Sequence, residues 1–201
     1  MGGTIMTTEA GNQGVMQIRV TLNDSQPAIW RRILVPTSIR YDQLHAVIQV
    51  IFDWNNSHLY NFLTAGHHEY VSADLDDDAE PNELVDMNFP YKDLVEGPIT
   101  YTYDFGDSWE HNIELEQIVP MADLTAHQIP FCLSGEGANV LENTRGLTPK
   151  EVTADMQATI LNGRPAKEAG HLGIAGSDFN QTTVNDLLAE FFVDSWTERL
   201  R

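Results

Sequence analysis

Apolar and polar residues alternate over residues 15–22 (VMQIRVTL), the period-two pattern of a strand with one buried face. The turn-forming stretch NDSQP follows, and IWRRILVP then reads as a second strand closed by Pro36, so the pair predicts a β-hairpin. The period changes over residues 41–54, where Leu44, Val47, Ile48 and Ile51 fall at i, i+3, i+4 and i+7 on one helical face, with His45 and Gln49 four apart on its flank. Residues 58–63 return to strand character. The stretch 72–90 is acidic, contains two prolines and predicts a loop. Further on, Thr148 and Glu151 form a capping box with Pro149 at the first helical position, Gly163 is placed to end that helix, and Val152, Met156 and Ile160 make its stripe. Val184, Leu187, Leu188 and Phe191 mark a last helix capped by Asn180.

This order predicts an α+β fold: a mixed sheet that opens with a β-hairpin and a helix (ββα), gains further antiparallel strands and is covered by C-terminal helices. A ubiquitin-like β-grasp arrangement fits that opening. The expected division is a disordered leader over residues 1–14, an α+β domain over 15–145 and a helical extension over 146–201 packed on the same domain.

The segment 99–115 is a second hairpin, and its pattern selects a register. A three-residue turn at Gly106-Asp107-Ser108 gathers Ile99, Tyr101, Tyr103, Phe105, Trp109, His111, Ile113 and Leu115 on one face. The other face is then Thr100, Thr102, Asp104, Glu110, Asn112 and Glu114. Ser108 falls where such a loop wants a left-handed residue, which implies mild strain. Asp104 and Glu110 become cross-strand neighbours, an arrangement that destabilises a bare sheet. Compensation is expected from an arginine of the WRR strand, a metal ion or a shared proton. His111 lies opposite Tyr103 on the aromatic face and reads first as a hydrogen-bonded core residue, second as a ligand or base. Trp30, Trp54 and Trp109 read as core or interface anchors.

Charge narrows the partners. The chain holds 30 acids against 11 Lys and Arg, a net charge of −19, and residues 69–142 carry 18 acids against Lys92 alone. Such a surface repels nucleic acid at long range and disfavours non-specific binding to it. A local basic patch of Arg19, Arg31, Arg32 and Arg40 is the one counter-argument. Asp74, Asp76 and Asp78 have the alternate spacing of a calcium loop, but Ala79 and Val85 stand where its glycine and closing glutamate belong, so no metal site is assigned there. No apolar run approaches the roughly 18 residues that cross a membrane. The first residues, without a positive segment or apolar stretch, do not read as a secretory signal. Cys132 is the single cysteine, which leaves no internal disulfide and suits a reducing cytoplasm.

The order IWRRILVP, LHAVIQVIFDWNNSHLYNF, YTYDFGDSWEHNIELE and CLSGEGA resembles the plasmid pRiA4b ORF-3-like family, a group also labelled as insertion-element passenger, TnpR-like proteins. The resemblance implies an α+β domain found near mobile elements and brings no known reaction with it. It carries Trp30, Arg31, His45, Trp54, His58, Phe62, Asp104, Gly106, Asp107, Trp109, Glu110, His111, Cys132, Gly135 and Glu136 as matching positions. Many relatives have cysteines where this chain has Asn139 and Thr144, so Cys132 alone cannot complete a zinc site.

Three function classes follow. The first is a cytoplasmic binding module for a protein or small basic ligand, with Trp30, Arg31, Arg32, Asp107 and Trp109 as binding candidates and no cofactor. The second is a metal-dependent or acid–base hydrolase in which His58, Asp104, Glu110, His111 and Glu136 converge in one pocket, with a divalent metal as the optional cofactor. The third is specific nucleic-acid association, suggested by the family context and opposed by the charge.

Overall fold

The computed structural model describes residues 14–72, 83–85, 88–120, 124, 128–146, 167–168 and 174–197. The predicted helix over 148–163, the aspartates at 74, 76 and 78 and nearly all of the predicted leader lie outside these residues.

The first hairpin forms where the alternation places it. Strand β1 (Gly14–Leu22) pairs antiparallel with β2 (Ile29–Pro36), Val15 opposite Pro36 and Leu22 opposite Ile29. Ser25 ties the turn, donating to the Leu22 carbonyl at 2.7 Å and accepting from the Ile29 amide at 2.9 Å. Helix α1 (Tyr41–Phe52) buries Leu44, Val47, Ile48 and Ile51 as the i, i+3, i+4, i+7 stripe requires. It ends at Asp53, which takes the left-handed conformation (φ 61°).

Strands β3 (Tyr60–Leu63), β4 (Glu69–Val71), β5 (Glu83–Val85), β6 (Ile99–Tyr103), β7 (Trp109–Pro120) and β8 (Phe131–Glu136) complete an eight-stranded sheet, ordered β5-β4-β3-β6-β7-β1-β2-β8. Every pairing is antiparallel except β4 with β5, so the sheet is mixed and the fold is α+β, as expected. Strand β5 arises inside the stretch read from sequence as loop, and a short helix α2 (Tyr91–Glu96) follows it. The β-grasp expectation does not hold. That arrangement needs the first strand parallel to a later one, whereas both neighbours of β1 run antiparallel to it. A two-stranded ladder, β9 (Lys167–Glu168) with β10 (Ile174–Ala175), precedes the last helix, α3 (Gln181–Thr197). No described helix is long and apolar enough to cross a membrane.

The core lies between one sheet face and helices α1 and α3. Ile18, Val20, Ile33, Phe62, Tyr101, Tyr103, Trp109 and Ile113 meet Leu44, Ile48, Ile51, Phe52, Val184 and Leu188 there. Helix α3 starts with Asn180 accepting the Thr183 amide at 3.0 Å, the predicted cap. It also secures the edge strand β8. Asn185 accepts from the Cys132 amide at 2.7 Å and donates to its carbonyl at 2.9 Å, while Gln181 donates to the Leu133 carbonyl at 2.8 Å.

The second hairpin keeps its predicted faces over the paired residues and changes its register. Tyr103 pairs with Trp109, Tyr101 with His111 and Thr102 with Glu110, two residues away from the expected alignment. Asp104 is the cause. It leaves the ladder in the left-handed region (φ 57°), and its Oδ1 accepts from the amides of Gly106 at 3.0 Å and Asp107 at 3.3 Å. An aspartate offering the backbone a local acceptor competes with strand pairing, and here the loop lengthens to residues 104–108. Phe105 is turned out to solvent. Ser108 is left-handed (φ 54°), as the turn argument expects. Glu110 faces Thr102, so the opposed carboxylates, and any need for a compensating arginine, metal or proton, disappear.

Candidate functional site

The structure does not bring the five sequence candidates together. His58 and Asp104 meet, with Nε2 3.5 Å from Oδ2, an ion-pair distance without hydrogen-bond geometry. His111 is wholly buried between Phe52, Trp54 and Tyr101; its Nδ1 sits 3.1 Å from the Trp109 carbonyl, and burial pushes its pKa down to about 3. Glu110 is exposed on the opposite sheet face. Glu136 lies on the edge strand, 3.4 Å from the indole nitrogen of Trp30. Strand alternation separates Glu110 from His111, and strand order separates Glu136 from His58, so one common pocket is geometrically excluded. Among the described residues no group of three or more His, Cys, Asp or Glu is arranged to hold a metal ion.

The binding candidates also divide. Trp109 is fully buried, as is Arg31. Arg31 spends all five donors on the carbonyls of Ile51, Trp30, Glu136 and Gly137 and on Asn139 Oδ1, and its guanidinium lies over the rings of Phe52 and Phe179. Burial lowers its pKa to about 10, still well above neutrality. These two residues are interior structure. Arg32 faces outward and is held by both oxygens of Glu116 at 2.6 and 2.7 Å, and Arg40 is held by Asp42. The Arg19 and Arg32 guanidinium groups both lie over the Trp30 ring, 4.4 and 5.2 Å from its centroid. Asp107 accepts the Arg145 amide at 3.1 Å. The sequence-level basic patch is therefore either buried, paired or stacked.

A different polar system occupies the end of α1. Asn56, left-handed at φ 54°, donates its backbone N–H to Gln49 Oε1 at 2.9 Å. A backbone N–H can only donate, so the Gln49 amide is fixed with Nε2 toward Tyr101, donating to its hydroxyl at 3.0 Å. The hydroxyl proton of Tyr101 has His45 Nδ1, 2.8 Å away, as its acceptor among the described residues, so the hydroxyl donates there. The imidazole proton is thereby placed on Nε2, which donates to Asn56 Oδ1 at 2.7 Å. Four residues close a ring of hydrogen bonds running one way, its direction set by the Asn56 N–H and by the single hydroxyl proton of Tyr101. Tyr60 stacks on His45 at 3.5 Å, and burial lowers the His45 pKa to about 4, so the neutral imidazole that the ring requires is the stable form.

A second set of bonds fixes the neighbouring residue. Glu142 is 6% exposed; its Oε1 accepts from the Asn55 amide at 2.9 Å and the Tyr103 hydroxyl at 2.6 Å, and its Oε2 accepts from Asn55 Nδ2 at 2.9 Å. Tyr103 in turn accepts from the Ser57 amide at 2.9 Å. Burial and the Glu142 carboxylate both raise the Tyr103 pKa, which keeps the phenol protonated.

Asn55 and Asn56 are exposed, and both line a groove of about 610 Å³ between α1 and α3. Asp42, Gln43, Gln49 and Asp53 add polar lining, and Val50, Trp54, Leu187, Phe191 and Phe192 add apolar walls. Phe191, 67% exposed, presents its ring at the mouth of this groove. Sequence reasoning placed His45, Gln49 and Phe191 on helices but assigned none of them to a site, and it missed Asn55, Asn56 and Glu142. The available signal was the pair of asparagines after a helix end, since asparagine tolerates the left-handed conformation. Glu142 gave no signal, because only the fold brings it to Asn55.

A family model described as plasmid pRiA4b ORF-3-like protein matches residues 14–186. The chain is 33% identical over 143 residues to the uncharacterized protein y4hQ of Sinorhizobium fredii (strain NBRC 101917 / NGR234), a match that covers 69% of this chain and 66% of that protein, just under two thirds of its length. Among solved structures it is similar to MM3350 of Methanosarcina mazei Go1, a protein of unknown function, at 26% identity and a TM-score of 0.58, covering 68% of this chain and 77% of that one. The matched span includes the first hairpin, α1, the asparagine loop and the YDFGDSWEH turn, and the chain belongs to the plasmid pRiA4b ORF-3-like family.

Proposed function

We propose that this protein is a binding module whose ligand site is the groove between α1 and α3. The observation that carries this reading is that the polar floor of the groove is held rigid from beneath. Asn55 and Asn56 are each oriented by buried partners, Glu142 in one case and the His45–Gln49–Tyr101 ring in the other. Preorganised polar groups between apolar walls, in a volume inside the roughly 300–1,000 Å³ range of small-ligand sites, are what a binding pocket requires. A thermal-shift screen with a neutral fragment library tests it. Hits should stabilise the wild type and lose their effect in Phe191→Ala, a change at an exposed position that leaves the unliganded protein within about 0.5 kcal/mol of wild type. Hits that stabilise both proteins equally would place the ligand elsewhere.

A second reading, acid–base hydrolysis, is favoured by one observation: Asp104, 7% exposed, lies beside the partly exposed His58. A carboxylate next to an imidazole is the start of a general-base arrangement. Ester hydrolysis by the purified protein, lost in His58→Gln, would support it; the same rate in both proteins would remove it. Nucleic-acid association has the least support, given the net charge of −19 and the engagement of Arg31, Arg32 and Arg40 within the protein.

A further inference from the structure

From the hydrogen-bond directions in the groove floor we infer that its ligand carries a carboxamide-type edge, a carbonyl acceptor beside an N–H donor, on an apolar body. The inference rests on the groove being the binding site and names the chemistry that the site selects.

The two asparagine amides have opposite exposures to a ligand. The ring places Asn56 Oδ1 against His45, so Nδ2, with two donor hydrogens, has no partner among the described residues. Glu142 can only accept, which fixes Asn55 with Nδ2 toward Oε2 and leaves Asn55 Oδ1 as an acceptor without a partner among the described residues. Two consecutive residues lining one groove thus offer one amide donor and one amide acceptor, neither able to flip without stranding a buried group. A primary amide, a lactam or a peptide group carries the complement of each. A cation is less well served. Asp42, the first acid in the lining, is already held by Arg40, and Asp53 Oδ2 accepts from Ser177 Oγ at 3.1 Å. The ligand's apolar body fits the Trp54, Leu187, Phe191 and Phe192 wall.

Three probes of one shape separate the alternatives: 3-phenylpropanamide, its methyl ester analogue (acceptor only) and 3-phenylpropylammonium (donor only). Binding to the full chain is followed by ¹H–¹⁵N NMR, with the side-chain amides of Asn55 and Asn56 as reporters. The amide should bind about tenfold tighter than either analogue, the ratio expected when one hydrogen bond is lost, and should shift both side-chain amides. Asn56→Asp provides the sharper arm. It keeps an acceptor for His45 Nε2 but replaces the outward donor by an oxygen, so the amide should weaken about tenfold and the ammonium should become the tightest probe. If the ester binds the wild type as well as the amide does, the amide inference is wrong and the groove still binds. If the ranking is the same in wild type and Asn56→Asp, the assigned directions are wrong. If none of the three probes shifts a groove resonance, the groove reading fails together with the inference.

Discussion

Replacing Tyr101 by Phe removes one oxygen from the buried ring and nothing from the aromatic packing around it. That oxygen donates to His45 Nδ1 and accepts from Gln49 Nε2, so two buried groups lose their partners together. His45 and Gln49 are each 4% exposed and Tyr101 is wholly buried, so water cannot take over without opening the core. A buried group left unsatisfied costs about 1–3 kcal/mol, and two cost about 2–6 kcal/mol, more than the loss of one ordinary hydrogen bond. For a chain of this size the expected fall in melting temperature is about 4–24 °C. Urea denaturation with a two-state fit gives the free energy, and an unchanged m-value confirms that the folded and unfolded states remain comparable. The ring also predicts coupling. Tyr101→Phe combined with Gln49→Leu should cost at least about 1 kcal/mol less than the two separate losses, because each variant breaks the same ring. A Tyr101→Phe loss under about 0.5 kcal/mol, or strict additivity with Gln49→Leu, would refute the ring as a cooperative unit.

Acid should destabilise the protein through its buried histidines. Burial lowers the pKa of His45 to about 4 and of His111 to about 3, so below about 6.5 the unfolded chain binds protons that the folded one refuses. Stability is full above that pH and falls toward pH 4 and 3, by up to about 1.4 kcal/mol per pH unit for each histidine; His111→Phe should reduce the slope in pH-dependent urea melts, and an identical slope would show that His111 titrates normally. Arg31→Lys keeps the charge but has three donors for the five acceptors around Arg31, and should cost about 2–4 kcal/mol in the same assay; a loss below about 1 kcal/mol would contradict the acceptor cage. Ser108→Gly relieves a left-handed backbone (φ 54°) and should stabilise by about 0.5–1 kcal/mol after the entropy of glycine is set against it; destabilisation would show that the Ser108 side chain matters more than the strain.

Much of the fold is legible in the sequence because burial on one face leaves a period. The β1–β2 hairpin, α1 and the aromatic face of β6–β7 all follow from such periods. Even the burial of Arg31 is implied, since Ile29, Arg31 and Ile33 share a face of β2; the arginine is read as a surface residue only if its charge is weighed above its position. The register of the second hairpin is not legible. Side-chain period distinguishes faces but cannot distinguish a shift of two, and the local capping by Asp104 decides it. The site is less legible still. His45, Asn56, Tyr101 and Glu142 come from four separate segments, and the directions of their hydrogen bonds exist only once the fold has brought them together. Residues chosen for their chemistry alone, Glu110, His111 and Glu136, fall on three separate parts of the sheet.

The α1–α3 groove is the binding site we propose for this protein. Protein-observed NMR with an unbiased fragment library tests it most directly, because it reports the position of binding as well as its occurrence. The predicted result is that shifts cluster on Gln43, residues 53–56, Leu187 and Phe191. Shifts clustered instead around His58, Asp104 and Phe105, with the groove resonances unmoved, would contradict it.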